Sequence, residues 1–238
     1  MRAKASGTST PDSGLSVSRR LVLAGALGPL LVRCSSDSNS DTAGLTQLLG
    51  RSLHVFSGAD SVALKDVAGT PFASLGVRVG SGAQTMLVLA TRSGESTVWT
   101  SSSHIALELQ AGRILRTAGL TENLSGTTFS GSDPLGMGIR NLREPATLKR
   151  SLDFSDRNAY GVLVESTVTL NGPADVEILG THIACVHATE QCTCKELGWN
   201  FTNEFWASAQ TGLVWRSVQN IHPDFAPLEI EILRPPKS

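Results

Sequence analysis

Residues 199–219 constrain the fold more than any other stretch of the chain, because they have the pattern of a β-hairpin. Phe201 and Phe205 fall on one face at a period of two, and polar side chains alternate with them. Residues 213–218 repeat the strand pattern, and Gly212 can adopt the left-handed conformation that closes a turn. We therefore expect two antiparallel strands near the end of the chain.

Three of the four tryptophans lie in this hairpin, namely Trp199, Trp206 and Trp215. In a chain that is 5 % aromatic, they place much of the large-ring packing area in one ribbon. The pattern leaves two registers open. A three-residue loop places Trp206 opposite Arg216, whereas a four-residue loop places it opposite Trp215.

Strand signals also recur through the rest of the chain. Alternating apolar segments in residues 72–118 follow one another at a spacing of about 8–12 residues, with glycine turns between them. Residues 162–170 alternate strictly and lead to Asn171-Gly172, which predicts a hairpin turn. Gly180 is expected to form a bulge in the returning strand, residues 175–187.

The predicted fold class is all-β, mainly an antiparallel sheet arranged as a β-sandwich or a partly open barrel. One or two short N-terminal helices should accompany the sheet. Residues 43–55 have the spacing of an amphipathic helix, and residues 61–67 are a candidate for a second short one.

The N-terminus has the pattern of an export signal. Arg19 and Arg20 form a twin-arginine pair before a mildly apolar run, residues 21–32, which is too short to span a membrane. Cys34 follows as a candidate lipidation site, although Arg33 stands where small residues are normal. The alternative is an ordinary amphipathic or disordered tail.

These signals divide the chain into a signal peptide (1–33), a flexible tether (34–41) and a single β domain (42–238). The chain has a formal net charge of −1, but the residues before Cys34 carry five basic side chains and one acid, so the remainder carries −5. An acidic body argues against nucleic acid as a partner.

Three cysteines of the domain lie close together in sequence, at Cys185, Cys192 and Cys194. In an exported protein we expect one disulfide, from Cys185 to Cys192 or to Cys194. A metal site formed by these cysteines with His187 is the sharper alternative, and free thiols are a third.

Several stretches together resemble the YjbF/GfcB family, the group 4 capsule and exopolysaccharide lipoproteins of Gram-negative bacteria. The resemblance extends over most of residues 45–236, and Ser208 and the cysteine-bearing stretch 185–194 depart from it. The stretches that carry it are Pro71–Ser74, Arg78–Gln84, Gly112–Ile114, Thr117–Leu120, Asn123–Leu124, Asp133–Leu135, Trp199–Trp206, Thr211–Gln219 and Ile230–Pro236.

The resemblance implies a lipoprotein of the outer membrane that faces the periplasm, or alternatively a soluble periplasmic protein. Its implied role is a non-catalytic accessory in exopolysaccharide or capsule production or export. The partners would be polysaccharide or the polysaccharide-export machinery, with the membrane reached through the lipid anchor. With the acidic charge of the body, we expect no nucleic-acid partner, and we expect no cofactor.

Two other functions remain open at this point. One is a periplasmic metal-binding or redox protein that uses the three cysteines. The other is a polysaccharide-processing enzyme with Glu204, Glu229 and Glu231 as candidate carboxylates. Because the chain has no recognised catalytic motif, we predict no catalytic residues. Because Cys192-x-Cys194 is not joined by a Cys-x-x-Cys pair, we predict no metal site.

The C-terminal hairpin supplies the candidate glycan-binding residues. Exposed tryptophans can stack on sugar rings, and amide and guanidinium groups can bind hydroxyls. The candidates are Asn203, Trp206, Trp215, Arg216 and Gln219. The alternative is that both tryptophans belong to the core and Arg216 covers them.

Overall fold

The computed structural model describes residues 61–237. Arg19, Arg20, Cys34 and the predicted helix at residues 43–55 lie outside the described residues. Within the described part, no helix is long and apolar enough to cross a membrane.

Twelve β-strands of the described residues join into one antiparallel sheet, which confirms the all-β prediction. A short helix, α1 (Leu64–Ala68), precedes them and corresponds to the second predicted helix. The described residues also contain one 3-10 turn, at Ile139–Asn141. The strands are β1 (Ser74–Val79), β2 (Thr85–Ser93), β3 (Ser96–Thr100), β4 (Ala106–Gln110), β5 (Arg113–Ala118), β6 (Gly126–Ser130), β7 (Ala146–Phe154), β8 (Ala159–Ile178), β9 (Thr181–Cys194), β10 (Trp199–Ser208), β11 (Val214–Gln219) and β12 (Leu228–Arg234).

The sheet curls into a nearly closed barrel. Its order is β5-β4-β3-β2-β1-β12-β11-β10-β9-β8-β7-β6, so the two edge strands, β5 and β6, are consecutive in sequence. The connection between them bonds to both sides of the gap. The Thr117 amide donates to the Leu124 carbonyl at 2.8 Å, and the Ser125 amide donates to the Asp153 carbonyl at 2.8 Å. The edges therefore meet at a seam that the chain itself bridges.

The predicted turn and bulge of the β8–β9 hairpin are exchanged. Residues 171–172 do not form the turn; strand β8 passes through them, and the register shifts between Leu170 and Gly172. The turn lies instead at Leu179 and Gly180, both with positive φ. The prediction was wrong because an Asn-Gly pair suits any site that needs left-handed backbone, and a bulge is one such site.

The β10–β11 hairpin resolves the two open registers. The Ser208 amide donates to the Leu213 carbonyl, which leaves a four-residue turn. Trp215 is then an extra residue in β11, since Ala207 pairs with Val214 while Trp206 pairs with Arg216. Because of this bulge, the hairpin has the four-residue turn but pairs Trp206 with Arg216, the partner expected for a three-residue turn.

The core fills the interior of the barrel. Its fully buried apolar side chains come from strands all around the sheet and include Leu75, Leu87, Leu107, Phe154, Val164 and Leu228. A second cluster forms where Leu135 and Ile139, in the β6–β7 connection, pack against Phe205 and Ala207 of β10.

Candidate functional site

The five candidate glycan-binding residues lie on two sides of the barrel wall. Asn203 and Gln219 point inward and are buried. Trp206 and Arg216 lie on the opposite face of their strands and are half-buried. Trp215, the bulge residue, is half-buried and packs against both the interior core and an outer cluster.

Inside the barrel, the fully buried carboxylate of Glu190 is the centre of an ionic network. Arg113 Nη1 donates to its Oε2 at 2.8 Å, and Arg150 Nη1 donates to its Oε1 at 2.6 Å. Asn203 Nδ2 adds a hydrogen bond to Oε2 at 2.9 Å. Each oxygen of the buried carboxylate is therefore matched by a charged donor, as burial of an ion requires.

Asp133 completes the charge balance of this network. It binds Arg113 through both oxygens, at 2.7 Å to Nε and 3.0 Å to Nη2. Burial alone would raise the pKa of Glu190, but Arg113 and Arg150 outweigh that effect and hold its pKa well below the ordinary range. The carboxylate stays ionised and engaged, so the network is suited to holding strands together rather than to proton transfer.

The two inward candidates satisfy backbone groups. Gln219 Oε1 accepts the Ile114 amide at 3.0 Å, and its Nε2 donates to the Gly112 carbonyl at 2.8 Å. Asn203 Oδ1 accepts the amide of Asn220 at 2.8 Å. In this arrangement their polar groups are used within the protein.

The outward candidates Trp206 and Arg216 belong to a partly exposed patch. We call it the Trp206 patch and define it as His187, Trp206, Arg216 and Glu229. The His187 ring stacks on the Trp206 indole with centroids 4.7 Å apart and planes 15° apart. The Arg216 guanidinium carbon lies 5.9 Å from the centroid of the same indole. Glu229 Oε1 accepts from Arg216 Nη2 at 2.6 Å.

Polar groups continue from this patch across β12 to β1. Glu231 lies 3.1 Å from Arg216 Nη2 and also accepts from Gln84 Nε2 at 2.8 Å. Glu229 contacts Arg78 of β1 at 3.3 Å. The outer wall therefore presents an aromatic ring beside a row of fixed donors and acceptors, a combination that suits the apolar faces and hydroxyls of sugars.

Trp206 is also anchored from beneath. It packs against an outer cluster that contains Val176, Ile178 and Cys185. The alternative expectation was that the tryptophans belong to the core and that Arg216 covers them. Trp206 does pack against buried side chains and lies beside Arg216, but it is only half-buried, so some of the ring remains accessible.

The cysteines do not form the predicted disulfide, and Cys185, Cys192 and Cys194 are free and buried. All three lie on the single strand β9, where the seven-residue step from Cys185 to Cys192 spans about 23 Å. The prediction assumed a loop between them, and an extended strand puts them far beyond bridging distance. His187 stacks on Trp206, so the four residues do not gather into the alternative metal site either.

A cavity of about 210 Å³ is lined mainly by apolar side chains of the barrel core. Its lining includes Leu75, Trp99, Leu109, Ile230 and Ile232. Arg92, Glu95 and Thr97 also line the cavity, but apolar side chains predominate, so the Trp206 patch is the better candidate for a carbohydrate surface.

The sequence and the fold of this chain are similar to those of known bacterial lipoproteins. Residues 52–233 match the family model described as group 4 capsule polysaccharide lipoprotein gfcB, YjbF. The uncharacterized lipoprotein GfcB of Escherichia coli K12 is 27 % identical over 176 residues, which cover 74 % of this chain and 82 % of that protein. The crystal structure of the hypothetical lipoprotein YmcC from the same organism has a TM-score of 0.66 and 25 % identity, covering 82 % of this chain and 97 % of that one.

Proposed function

This chain belongs to the YjbF family of group 4 capsule polysaccharide lipoproteins, and we propose that it is a non-catalytic accessory that binds polysaccharide during capsule or exopolysaccharide production or export. Its relatives are lipoproteins, so the protein is associated with the cell envelope. Binding polysaccharide there is the simplest task for a protein with a polar and aromatic outer wall.

The observation that carries this proposal is the Trp206 patch. Its indole ring is held on one strand by a stacked His187 and a paired Arg216. A ring fixed in this way loses little conformational entropy when a sugar stacks on it, and the neighbouring ion pairs keep the polar groups in place. A row of such groups along the wall suits an extended polymer rather than a small ligand.

A binding role without catalysis is supported by the state of the carboxylates. Glu229 and Glu231 are engaged by Arg216, and Glu190 is engaged by two arginines. Glycoside hydrolysis needs one carboxyl group that can give up a proton and a second that is free to act on the other side of the bond. Glu229 and Glu231 are instead used to orient Arg216, whereas Glu204 is half-exposed and lies 3.8 Å from His187 Nε2.

We further propose export by the twin-arginine signal and anchoring through lipid on Cys34 at the outer membrane, facing the periplasm. Mass spectrometry of the mature N-terminus tests this part. An N-terminal Cys34 carrying acyl chains is the expected result. A mature chain that begins elsewhere, or an unmodified cysteine, would favour the soluble periplasmic alternative.

Polymer binding is tested by a substitution in the patch. We expect Trp206→Ala to weaken binding to the purified capsule or exopolysaccharide about tenfold, the loss expected for one stacking interaction. Tyr160→Ala is the matched control, since Tyr160 is an exposed aromatic residue outside the patch. Incubation of the polymer with the wild-type protein should release no new reducing ends.

Two results would contradict the proposal. One is equal polymer affinity in wild type and in a folded Trp206→Ala variant, which would move the contact elsewhere or point to the export machinery as the partner. The other is cleavage of the polymer that is lost in Glu204→Gln, which would make the protein an enzyme.

A further inference from the structure

Three connections at one end of the barrel bring together an imidazole and two carboxylates. Glu122 lies in the connection that bridges the seam between β5 and β6, and Asp156 lies in the β7–β8 turn. His222 lies in the connection between β11 and β12. None of the three residues belongs to the Trp206 patch, and the proposed polysaccharide function does not use them.

Their potential ligand atoms are close enough to share one ion. All of them lie within 4.8 Å of one another. His222 Nε2 is 3.1 Å from Asp156 Oδ2 and 4.0 Å from Glu122 Oε2. Ligand bonds to zinc of about 2.0–2.2 Å in a tetrahedral arrangement set neighbouring ligand atoms about 3.3–3.6 Å apart, so only small side-chain shifts separate this cluster from a coordinating one.

His222 is held so that Nε2 faces the carboxylates. Its side chain is only 1 % exposed, and its ring meets Phe154 edge-to-face with centroids 5.1 Å apart. The Asp224 amide donates to Nδ1 at 3.2 Å. Nε2 itself is buried and makes no well-formed hydrogen bond, and its nearest polar atom is Asp156 Oδ2 at 3.1 Å. A buried polar atom left in this state costs free energy unless a ligand occupies the site.

We propose that Glu122, Asp156 and His222 bind a divalent cation of the zinc type. One imidazole nitrogen favours zinc, nickel or cobalt over magnesium and calcium, which prefer oxygen ligands alone. The two carboxylates supply the negative charge that neutralises the ion. Three protein ligands leave a coordination position open for water or another ligand.

The bound ion would join three connections that are separated along the chain. One of them bridges the seam, the place where the sheet lacks a continuous ladder. The bound ion would therefore cross-link the connections at this end of the barrel and stabilise the seam. The site uses none of the cysteines that the sequence suggested as metal ligands.

Coordination also changes the hydrogen bonding of His222. A cation on Nε2 takes the lone pair there, so the ring proton moves to Nδ1, where it faces the amide of Asp224. Two donors cannot share this contact, and the turn at residues 222–224 must open slightly. The amide resonance of Asp224 is thus a reporter of occupancy.

The experiment is zinc titration of the full-length protein after removal of bound metal with a chelator. We expect saturable binding of one zinc ion, a rise in melting temperature of about 5 °C or more at 100 times the dissociation constant, and a shift of the Asp224 amide resonance. Asp156→Asn and Glu122→Gln should each weaken binding at least tenfold. Both positions are partly exposed, so these variants should fold.

His182→Gln is the matched control, because His182 is an exposed histidine that also lies near a glutamate, Glu177. Its zinc affinity should equal that of the wild type. The proposal is overturned if the wild type shows no saturable zinc binding, if both carboxylate variants bind as tightly as the wild type, or if calcium and magnesium bind more tightly than zinc.

Discussion

Arg113 and Glu190 are 77 residues apart in the chain and form a buried ion pair, with 2.8 Å between Nη1 and Oε2. Arg113 belongs to the edge strand β5, and Glu190 belongs to β9 in the other half of the sheet. Their contact crosses the interior and ties an edge of the sheet to strands that it does not pair with.

The first prediction concerns this carboxylate. Glu190→Gln should lower the free energy of unfolding by about 3–5 kcal/mol, because it leaves Arg113 and Arg150 buried without their shared counter-ion. Urea denaturation measures the change. Glu165→Gln, which removes an exposed partner of Lys149 and Lys195, should change stability far less. Equal effects of the two substitutions would show that the interior network contributes no special stability.

The second prediction is the pH dependence that follows from Glu190. Its pKa in the folded protein is lowered, whereas a glutamate of the unfolded chain titrates near about 4.3. The stabilisation by this group is therefore complete above that pH and is lost as the pH falls towards the folded pKa. The carbon-13 resonance of the Glu190 carboxyl should not titrate between pH 7 and about pH 4 while the protein is folded. A titration midpoint above pH 4.3 would contradict the ionic network.

The third prediction concerns thiol reactivity. Burial, together with the nearby charge of Glu190, raises the pKa of Cys192 to about 12, and burial also raises the pKa of Cys185. The thiolate is the reactive form, so neither cysteine should react with a thiol reagent at pH 8 in the folded protein. Mass spectrometry after unfolding without reductant should find Cys185, Cys192 and Cys194 all modified. A mass that retains a bridge from Cys185 would contradict the course of β9.

The fourth prediction tests how the β4–β5 turn packs. Gly112 has a φ of +87°, and a Cβ built there would lie 2.6 Å from the Val214 side chain on β11. Gly94 also has a positive φ, but no atom lies within 4 Å of its Cβ position. Gly94→Ala should cost about 1 kcal/mol for backbone strain alone, and Gly112→Ala should cost a further 1–3 kcal/mol, roughly, for the clash. Thermal unfolding distinguishes the two. Equal costs would mean that the turn does not contact β11.

Local periodicity was sufficient to predict the fold class and most of the strands, but it did not predict β6 or the first half of β7. The alternation in residues 162–170 and in the C-terminal hairpin corresponds to β8, β10 and β11. Sequence patterns gave the wrong structure where the same pattern is compatible with two structures. Asn171-Gly172 forms a bulge, and the cysteines expected to flank a loop lie on one extended strand.

The buried network could have been suspected from one local signal. Glu190 has the same parity on its strand as the apolar inward residues Ala188 and Cys192. A carboxylate at such a position needs a partner, but its partners Arg113 and Arg150 are 77 and 40 residues away. Only the closure of the sheet brings them together, and the same holds for Glu122, Asp156 and His222. Alternation alone could not separate the inward Asn203 and Gln219 from residues that contact a ligand.

The position of the seam affects whether the sheets of neighbouring molecules can pair when the protein is crowded. A long free strand edge invites pairing with a neighbouring molecule, and proteins concentrated on a surface are at particular risk. Here the β5 edge is already used by its own chain, since Gln219 bonds to the backbone of Gly112 and Ile114 and the following connection bonds to Thr117. Many copies could then stand side by side without their sheets merging into a larger aggregate.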